Sequence, residues 1–298
     1  MTHLPNQTRK KLDDSSDASL SKDAPVSNED SSPQDARRLW TDAYVDQMEA
    51  LLGDSVCRSL AIYKLPTGFV LSVIVPVFNE ATTLAAVVDR LRSVGISMQI
   101  VLVNDASDDG TAEVMERLAG EDFITVIHHH SNEGKGAAIR SGVKACTGDV
   151  IVIQDADQEY DPSDFRYLLQ PLVAGDADVV YGTRYGHYDR QLSPWWHQAV
   201  NGFITLLASV CIGIRLSDVE TCYKMAPREH FEAILPKLRE NRFGVEIEMT
   251  ARWVQSDLRF TERPIRYQHR WYDEGKKIGW RDGVSALWCI VKYGIFRW

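Results

Sequence analysis

The sequence is short of several things, and each shortage excludes a class of protein. Its five cysteines (Cys57, Cys146, Cys211, Cys222 and Cys289) are odd in number, widely spaced and free of any Cys-x-x-Cys pair. Neither a disulfide framework nor a zinc knuckle is built from such a set, and a reducing cytoplasm suits it best. Basic residues are in deficit, with 33 Lys+Arg against 42 Asp+Glu and a net charge of -9. That balance excludes a chain whose main business is coating nucleic acid, because phosphate is held by basic surface. Long apolar runs are missing as well. The two most apolar stretches, 203–214 and 284–296, reach about twelve and thirteen residues, where a bilayer span takes roughly 20. Residues 1–37 are mostly Ser, Asp, Lys, Asn, Pro and Gln, without the basic region and apolar stretch of a secretory signal. No Gly-x-Gly-x-x-Gly follows the first apolar run and no Gly-Lys-Ser/Thr loop occurs, so dinucleotide-binding and P-loop readings lose their required parts.

What is present is a globular composition, 44% hydrophobic and 25% charged over 298 residues, enough for one large domain or two small ones. Residues 1–37 have too few large apolar side chains to offset the entropy of ordering and read as a disordered tail. Over 38–68, Leu39, Trp40, Tyr44, Met48, Leu51 and Leu52 recur at helical spacing and predict a helical extension. The main domain then occupies 69–298. Val70, Leu71, Val73, Ile74, Val75 and Val77 form a near-continuous apolar run of the kind buried on both faces of a parallel sheet. Helical patterns over 84–94, 111–118, 136–145 and 162–173 alternate with short apolar runs at 100–103, 123–127, 150–153 and 179–181. This βα alternation predicts an α/β fold of doubly wound type, with helices on both faces of the sheet.

In such sheets ligands lie outside the carboxyl ends of the strands. Those ends are acidic here: Asn79 and Glu80 follow the first strand, Asp105, Asp108 and Asp109 the second, and Asp155, Asp157 and Glu159 the fourth. Asp155 and Asp157, with Glu159 as a third donor, are hard oxygen ligands suited to Mg2+ or Mn2+. His128, His129 and His130 are not read as a metal site. Adjacent side chains on a strand end point in opposite directions, so the run is expected to be a solvated strand end.

These segments together resemble glycosyltransferase family 2, whose members have the GT-A fold with a mixed, mostly parallel sheet. The resemblance runs from about residue 71 to about 287 and rests on Val75-Pro76-Val77-Phe78-Asn79-Glu80, 103–111, Asn132-Glu133-Gly134-Lys135-Gly136 and Asp155-Ala156-Asp157. Gly182-Thr183-Arg184, 218–224, Arg270 and Gly275-Lys276-Lys277 narrow it to the polyprenyl-phosphate (dolichyl- or undecaprenyl-phosphate) hexosyltransferases. It implies an inverting, metal-dependent transfer of a hexose, mannose from GDP-mannose foremost or glucose from UDP-glucose, to a polyprenyl phosphate. Pro76, Phe78, Glu80 and Asp105 would then meet the nucleoside, and Asp155 and Asp157 would hold the cation. Arg184, Arg270 and Lys276 would face the donor diphosphate or the acceptor phosphate, with Asp157 and Arg184 carrying the chemistry. His197, after the pair Trp195-Trp196, would also meet the acceptor phosphate.

An acceptor phosphate is already anionic and needs no general base, whereas a sugar hydroxyl does. For the hydroxyl case, as in polysaccharide or glycolipid synthesis, Asp218, Glu246 and Glu248 are the candidates. The latter two equally fit a solvated helix face, opposite the stripe Phe243, Ile247, Ala251 and Val254. A lipid acceptor would also give the stretch from Trp195 to Ile212 a use as an interfacial helix, the other reading being a buried core helix. At 259–298, nine Lys/Arg stand against four Asp/Glu and alternate with Trp271, Trp280, Trp288 and Trp298. That pairing of indole with base suits a membrane surface and places the protein peripherally at its inner, cytoplasmic face.

Overall fold

The computed structural model describes residues 41–185, 195–269 and 280–298. Two short helices come first, α1 (Asp42–Leu52), capped by the Thr41 hydroxyl, and α2 (Asp54–Ser59). Val45, Cys57 and Ile62 give them a small core of their own. Polar bonds tie them to the main body: the Tyr63 hydroxyl donates to the Arg166 carbonyl at 2.7 Å, and the Arg166 guanidinium stacks on the Tyr63 ring at 4.9 Å.

The main body alternates β1 (Leu71–Val77), α3 (Leu84–Arg92), β2 (Met98–Asn104), α4 (Thr111–Leu118), β3 (Ile124–His128), α5 (Lys135–Ala145) and β4 (Val150–Ile153). A 3-10 turn at Pro162–Asp164 leads into α6 (Phe165–Val173) and β5 (Val179–Thr183). Next come α7 (Trp195–Ile212), β6 (Lys224–Pro227), α8 (Arg228–Ile234), α9 (Val245–Val254), β7 (Phe260–Pro264) and α10 (Trp280–Cys289), which runs into a π-helical turn, Ile290–Ile295.

The strands form one sheet in the order β3-β2-β1-β4-β6-β5-β7. All neighbours are parallel except β6, antiparallel to both β4 and β5. Leu71, Val73, Ile74 and Val75 on β1 are fully buried, each contributing roughly 1.5–3 kcal/mol of apolar transfer free energy. Because β2 and β3 lie on one side of β1 and β4 on the other, the strand order reverses at β1, the point where such sheets open a crevice. The carboxyl ends of six strands and the amino end of β6 therefore share one edge.

The antiparallel β6 and the outer β7 were not legible in the apolar pattern. β6 is four residues with a lysine at its head and a proline at its end, and β7 is half-exposed along its length. Helix α7 is buried along one face and exposed along the other. Ile204, Ala208 and Ile212 pack inward against Ile247, Ala251 and Ile290, whereas Val200, Phe203, Leu206 and Val210 face outward, Val210 at 73% exposure. Among the described residues no helix is long and apolar enough to cross a membrane.

Candidate active site

The loops after β1 and β2 are built against each other. Asn79, held at a φ of 52°, donates from Nδ2 to Asp108 Oδ1 at 2.7 Å and accepts from the Asp108 amide at 2.9 Å. The Ala81 amide donates to Asp109 Oδ2 at 3.1 Å and the Glu80 amide to Thr111 Oγ1 at 3.0 Å. Burial works against an ionised Asp109, but hydrogen bonds from Thr111 and Ala81 outweigh it and hold its carboxyl below the usual range. Two of the acidic residues after β2 thus fix the shape of the first loop. Pro76 and Phe78 are half-buried beside this bracket and Glu80 is buried, its Oε2 accepting from Thr83 Oγ1 at 2.6 Å.

Asp105 reaches the other way. Its Oδ1 accepts from the Glu133 amide at 2.9 Å and pairs with His129 Nδ1 at 2.8 Å, while Oδ2 accepts from the Gly134 amide at 2.7 Å. A carboxylate oxygen has two acceptor sites, so Oδ2 retains one for a ligand. His129 is consequently not a solvated strand-end residue. Its side chain is 9% exposed and its Nε2 lies 2.9 Å from Ser141 Oγ. His128 turns away to Glu116, in keeping with the opposite directions of adjacent side chains.

The loop held by Asp105 delivers Lys135 to the sheet edge. Gly134 (φ 98°) and Gly136 press against the 240–241 backbone so closely that a Cβ on Gly136 would sit 2.2 Å from the Glu240 carbonyl oxygen. Between them, Lys135 Nζ lies 2.8 Å from Asp155 Oδ1 and 3.0 Å from Glu246 Oε1. The other Glu246 oxygen is 2.8 Å from Nζ of the fully buried Lys224, which also donates to the Val219 and Thr221 carbonyls. Burial disfavours the Lys135 ammonium, yet Asp155, Cys222 and Glu246 hold its pKa well above the ordinary lysine value. Sequence reasoning assigned no role to Lys135 or Lys224; a lysine flanked by two glycines and another at the head of a buried strand were the signals available.

This chain of charges overturns the solvated-face reading of α9. Glu246 and Glu248 are buried. Glu248 accepts from the Arg239 and Glu240 amides at 2.8 and 2.7 Å and faces Arg252 at 3.4 Å. Asp218 is equally engaged. Fully buried, it receives Arg184 in a fork, Nε on Oδ2 and Nη2 on Oδ1, both at 2.7 Å. Burial would raise its pKa, but Arg184 holds the carboxyl below the usual range, which makes it a poor proton acceptor.

After β4, Gln158 at a φ of 63° turns the chain so that Asp157 comes near Asp155, Glu159 and Glu80. Burial first, then those three like charges, push the Asp157 carboxyl up to about 8. Glu159, expected as a third metal ligand, accepts from the Tyr267 hydroxyl at 2.6 Å. Among the described residues no three His, Cys, Asp or Glu side chains converge to chelate a metal by themselves. Asp155 and Asp157 nonetheless offer hard oxygen donors within a crowd of carboxylates whose repulsion a divalent cation relieves. Mg2+ or Mn2+ fits such a pair, because these ions complete their shells with substrate phosphate and water. Arg184 stacks over Tyr267 at 5.4 Å on the same edge. Arg270, Lys276 and the side chain of His197 lie outside the described residues.

Comparison with known proteins gives the family and the fold. Residues 72–235 match the glycosyl transferase family 2 model. The undecaprenyl-phosphate mannosyltransferase of Micrococcus luteus is 28% identical over 232 residues, covering 76% of this chain and 94% of that protein. The polyprenol monophosphomannose synthase of Mycolicibacterium smegmatis is 28% identical over 231 residues, covering 75% and 86%. In fold, the chain is similar to glucosyl-3-phosphoglycerate synthase from Mycobacterium tuberculosis, solved with Mn2+, uridine diphosphate and phosphoglyceric acid. The TM-score is 0.59 at 20% identity, over 86% of this chain and 84% of that one.

Proposed function

The chain belongs to glycosyl transferase family 2, and from that premise we propose that it transfers mannose from GDP-mannose to a polyprenyl phosphate at the cytoplasmic face of a membrane. The observation that carries the choice of acceptor is the state of the carboxylates. Asp218, Glu246 and Glu248, the bases that a hydroxyl acceptor would need, are ion-paired inside the protein. An acceptor that arrives already ionised needs none of them.

In this reading the nucleoside lies against Pro76, Phe78, Glu80 and the remaining acceptor site of Asp105. Asp155 and Asp157 would hold Mg2+ or Mn2+, which when bound stabilises the negative charge gathering on the departing diphosphate. Arg184, with two of its nitrogens fixed by Asp218, presents the rest of its guanidinium to the acceptor phosphate. The acceptor oxygen attacks the anomeric carbon from the face opposite the diphosphate, so the bond to the nucleotide breaks as the new one forms and the configuration inverts. Lys135 balances the anionic edge throughout, and the outer face of α7 rests on the lipid.

A second reading has one observation in its favour. Burial, the foremost cause, raises the Glu220 carboxyl above the ordinary range although Arg184 opposes it. No hydrogen bond or ion pair involves Glu220 among the described residues, so it is the carboxylate available as base for a hydroxyl acceptor. The two readings separate in one assay. Purified protein with Mn2+, labelled GDP-mannose or UDP-glucose, and polyprenyl phosphate or a saccharide acceptor should place mannose label in the lipid phase, and Glu220→Gln should leave that transfer intact. Label in the saccharide alone, lost in Glu220→Gln, overturns the phosphate acceptor.

A further inference from the structure

Away from the catalytic edge, an open cavity of about 390 Å³ is lined by Pro236, Lys237, Arg239, Arg252, Lys292, Tyr293 and Trp298. Four of these seven residues are cationic. The anions that face them are Glu240, 2.8 Å from Lys292 and 2.6 Å from the Tyr293 hydroxyl, and the buried Glu248 beside Arg252. Among the described residues, Lys237 and Arg239 have no ion-pair partner. Lys237 and Arg239 are exposed at the mouth, whereas the Arg252 side chain is only 8% exposed, stacks on Tyr293 at 5.0 Å and has a buried Nε without a hydrogen-bond partner. Arg252 is held from within by Glu248, so the charge open to an incoming anion is that of Lys237 and Arg239.

The surroundings of the cavity point to the kind of anion that would enter it. Trp298 belongs to the wall, and Ile295 and Phe296 beside it are exposed apolar residues. The π-helical turn from which they project crosses α7 so closely that a Cβ on Gly294 would lie 2.9 Å from the Cys211 Cβ. The end of α7 and this turn thus pack directly on each other. Arg252 is six residues beyond Glu246 on α9, about 9 Å along the helix from the catalytic edge. The cavity is thus a separate place from the acceptor site.

We propose that this cavity is a second phosphate-binding site, which takes the headgroup of an anionic phospholipid while the apolar rim enters the lipid layer. It rests on the proposed action of the protein at a membrane surface. Lys237 and Arg239 draw the phosphate in, Arg252 adds positive charge at the wall, and Trp298 sits at the interface, where indoles are favoured.

The test is co-sedimentation of the full chain with vesicles of phosphatidylglycerol and phosphatidylcholine, and with vesicles of phosphatidylcholine alone. The site predicts a strong preference for the first. Lys237→Gln with Arg239→Gln should weaken that binding about 30-fold, while Arg117→Gln with Lys144→Gln, two exposed charges on α4 and α5, should weaken it much less. Transfer to detergent-solubilised polyprenyl phosphate should be unchanged in both double variants. Equal binding to the two vesicles, or equal losses in the two double variants, overturns the headgroup site and leaves the membrane reading standing. Protection of the cavity by inorganic phosphate without any preference for phosphatidylglycerol makes the source a free phosphate and overturns the lipid. No binding to either vesicle overturns both.

Discussion

The catalytic edge and the outer face of α7 break the usual partition of residues in opposite senses. At the edge, Lys135, Lys224, Glu246 and Asp218 carry charge into the interior. On α7 and in the segment after the π-helical turn, Phe203, Leu206, Val210, Phe296 and Trp298 carry apolar surface to the outside. Buried charge is costly unless paired, and a broad exposed apolar face has something to meet. The first region pairs most of its charges, leaving Asp157 crowded and Glu220 without an ion pair among the described residues; the second leaves its requirement to a partner. The comparison teaches that buried charge persists here through pairing, whereas the exposed apolar face has no such internal partner among the described residues.

The largest effect should come from the incomplete point of the first network. Asp157→Ala is expected to lower kcat/KM for mannosyl transfer roughly a thousandfold, the several kcal/mol that metal stabilisation of a leaving group supplies. Its thermal midpoint should not fall, because a crowded carboxylate has been removed. An Asp157→Ala protein with undiminished turnover would end the metal role. Next is a completed point: Glu246→Ala leaves Lys135 and Lys224 buried without their shared anion and should destabilise the fold by roughly 3–5 kcal/mol. Urea titration giving less than about 1 kcal/mol would show that the pair is not structural.

On the apolar side, Phe203→Ser with Leu206→Ser should reduce binding to neutral vesicles at least tenfold, the equivalent of one buried side chain. The midpoint of unfolding should stay within a few degrees. A collapse of stability with vesicle binding intact would mean that this face is core. The remaining effect is one of pH. The folded Asp157 carboxyl, raised to about 8 from 3.8, stays protonated where the unfolded one ionises. Its contribution to stability is therefore fully present below about pH 4 and lost as pH rises towards 8. Metal-free protein should melt at lower temperature across that window, less so in Asp157→Asn, and added Mn2+ should raise the midpoint more at pH 8 than at pH 5. Equal slopes in the two proteins would remove Asp157 from the account.

How much of this was legible depended on whether a feature is local. β4 and α4 have the limits their residues suggest, since four buried apolar residues in a row and an eight-residue amphipathic period are complete signals in themselves. The carboxylates at the strand ends were legible for the same reason. Their partners were not. Asp108 and Asp109 look like ligands until Asn79 and Ala81, 29 and 28 residues earlier in the chain, are placed against them. Lys135 meets Glu246 across more than a hundred residues. His129 reads as solvated until Asp105 and Ser141 close on it. Sequence patterns identify which residue types can do chemistry; only the pairing of distant segments decides which of them are left free to do it.

The bracket between Asn79 and Asp108 has a consequence for how such a protein can change over generations. Replacing 78–81 alone strands Asp108 and Asp109, and replacing 107–111 alone strands the Asn79 side chain and the amides of Glu80 and Ala81. If this bracket holds the nucleoside as proposed, a graft that re-specifies the nucleotide must move both segments at once. The two are one heritable part written in two places, and recombination between them yields hybrids that fail even when each parent works.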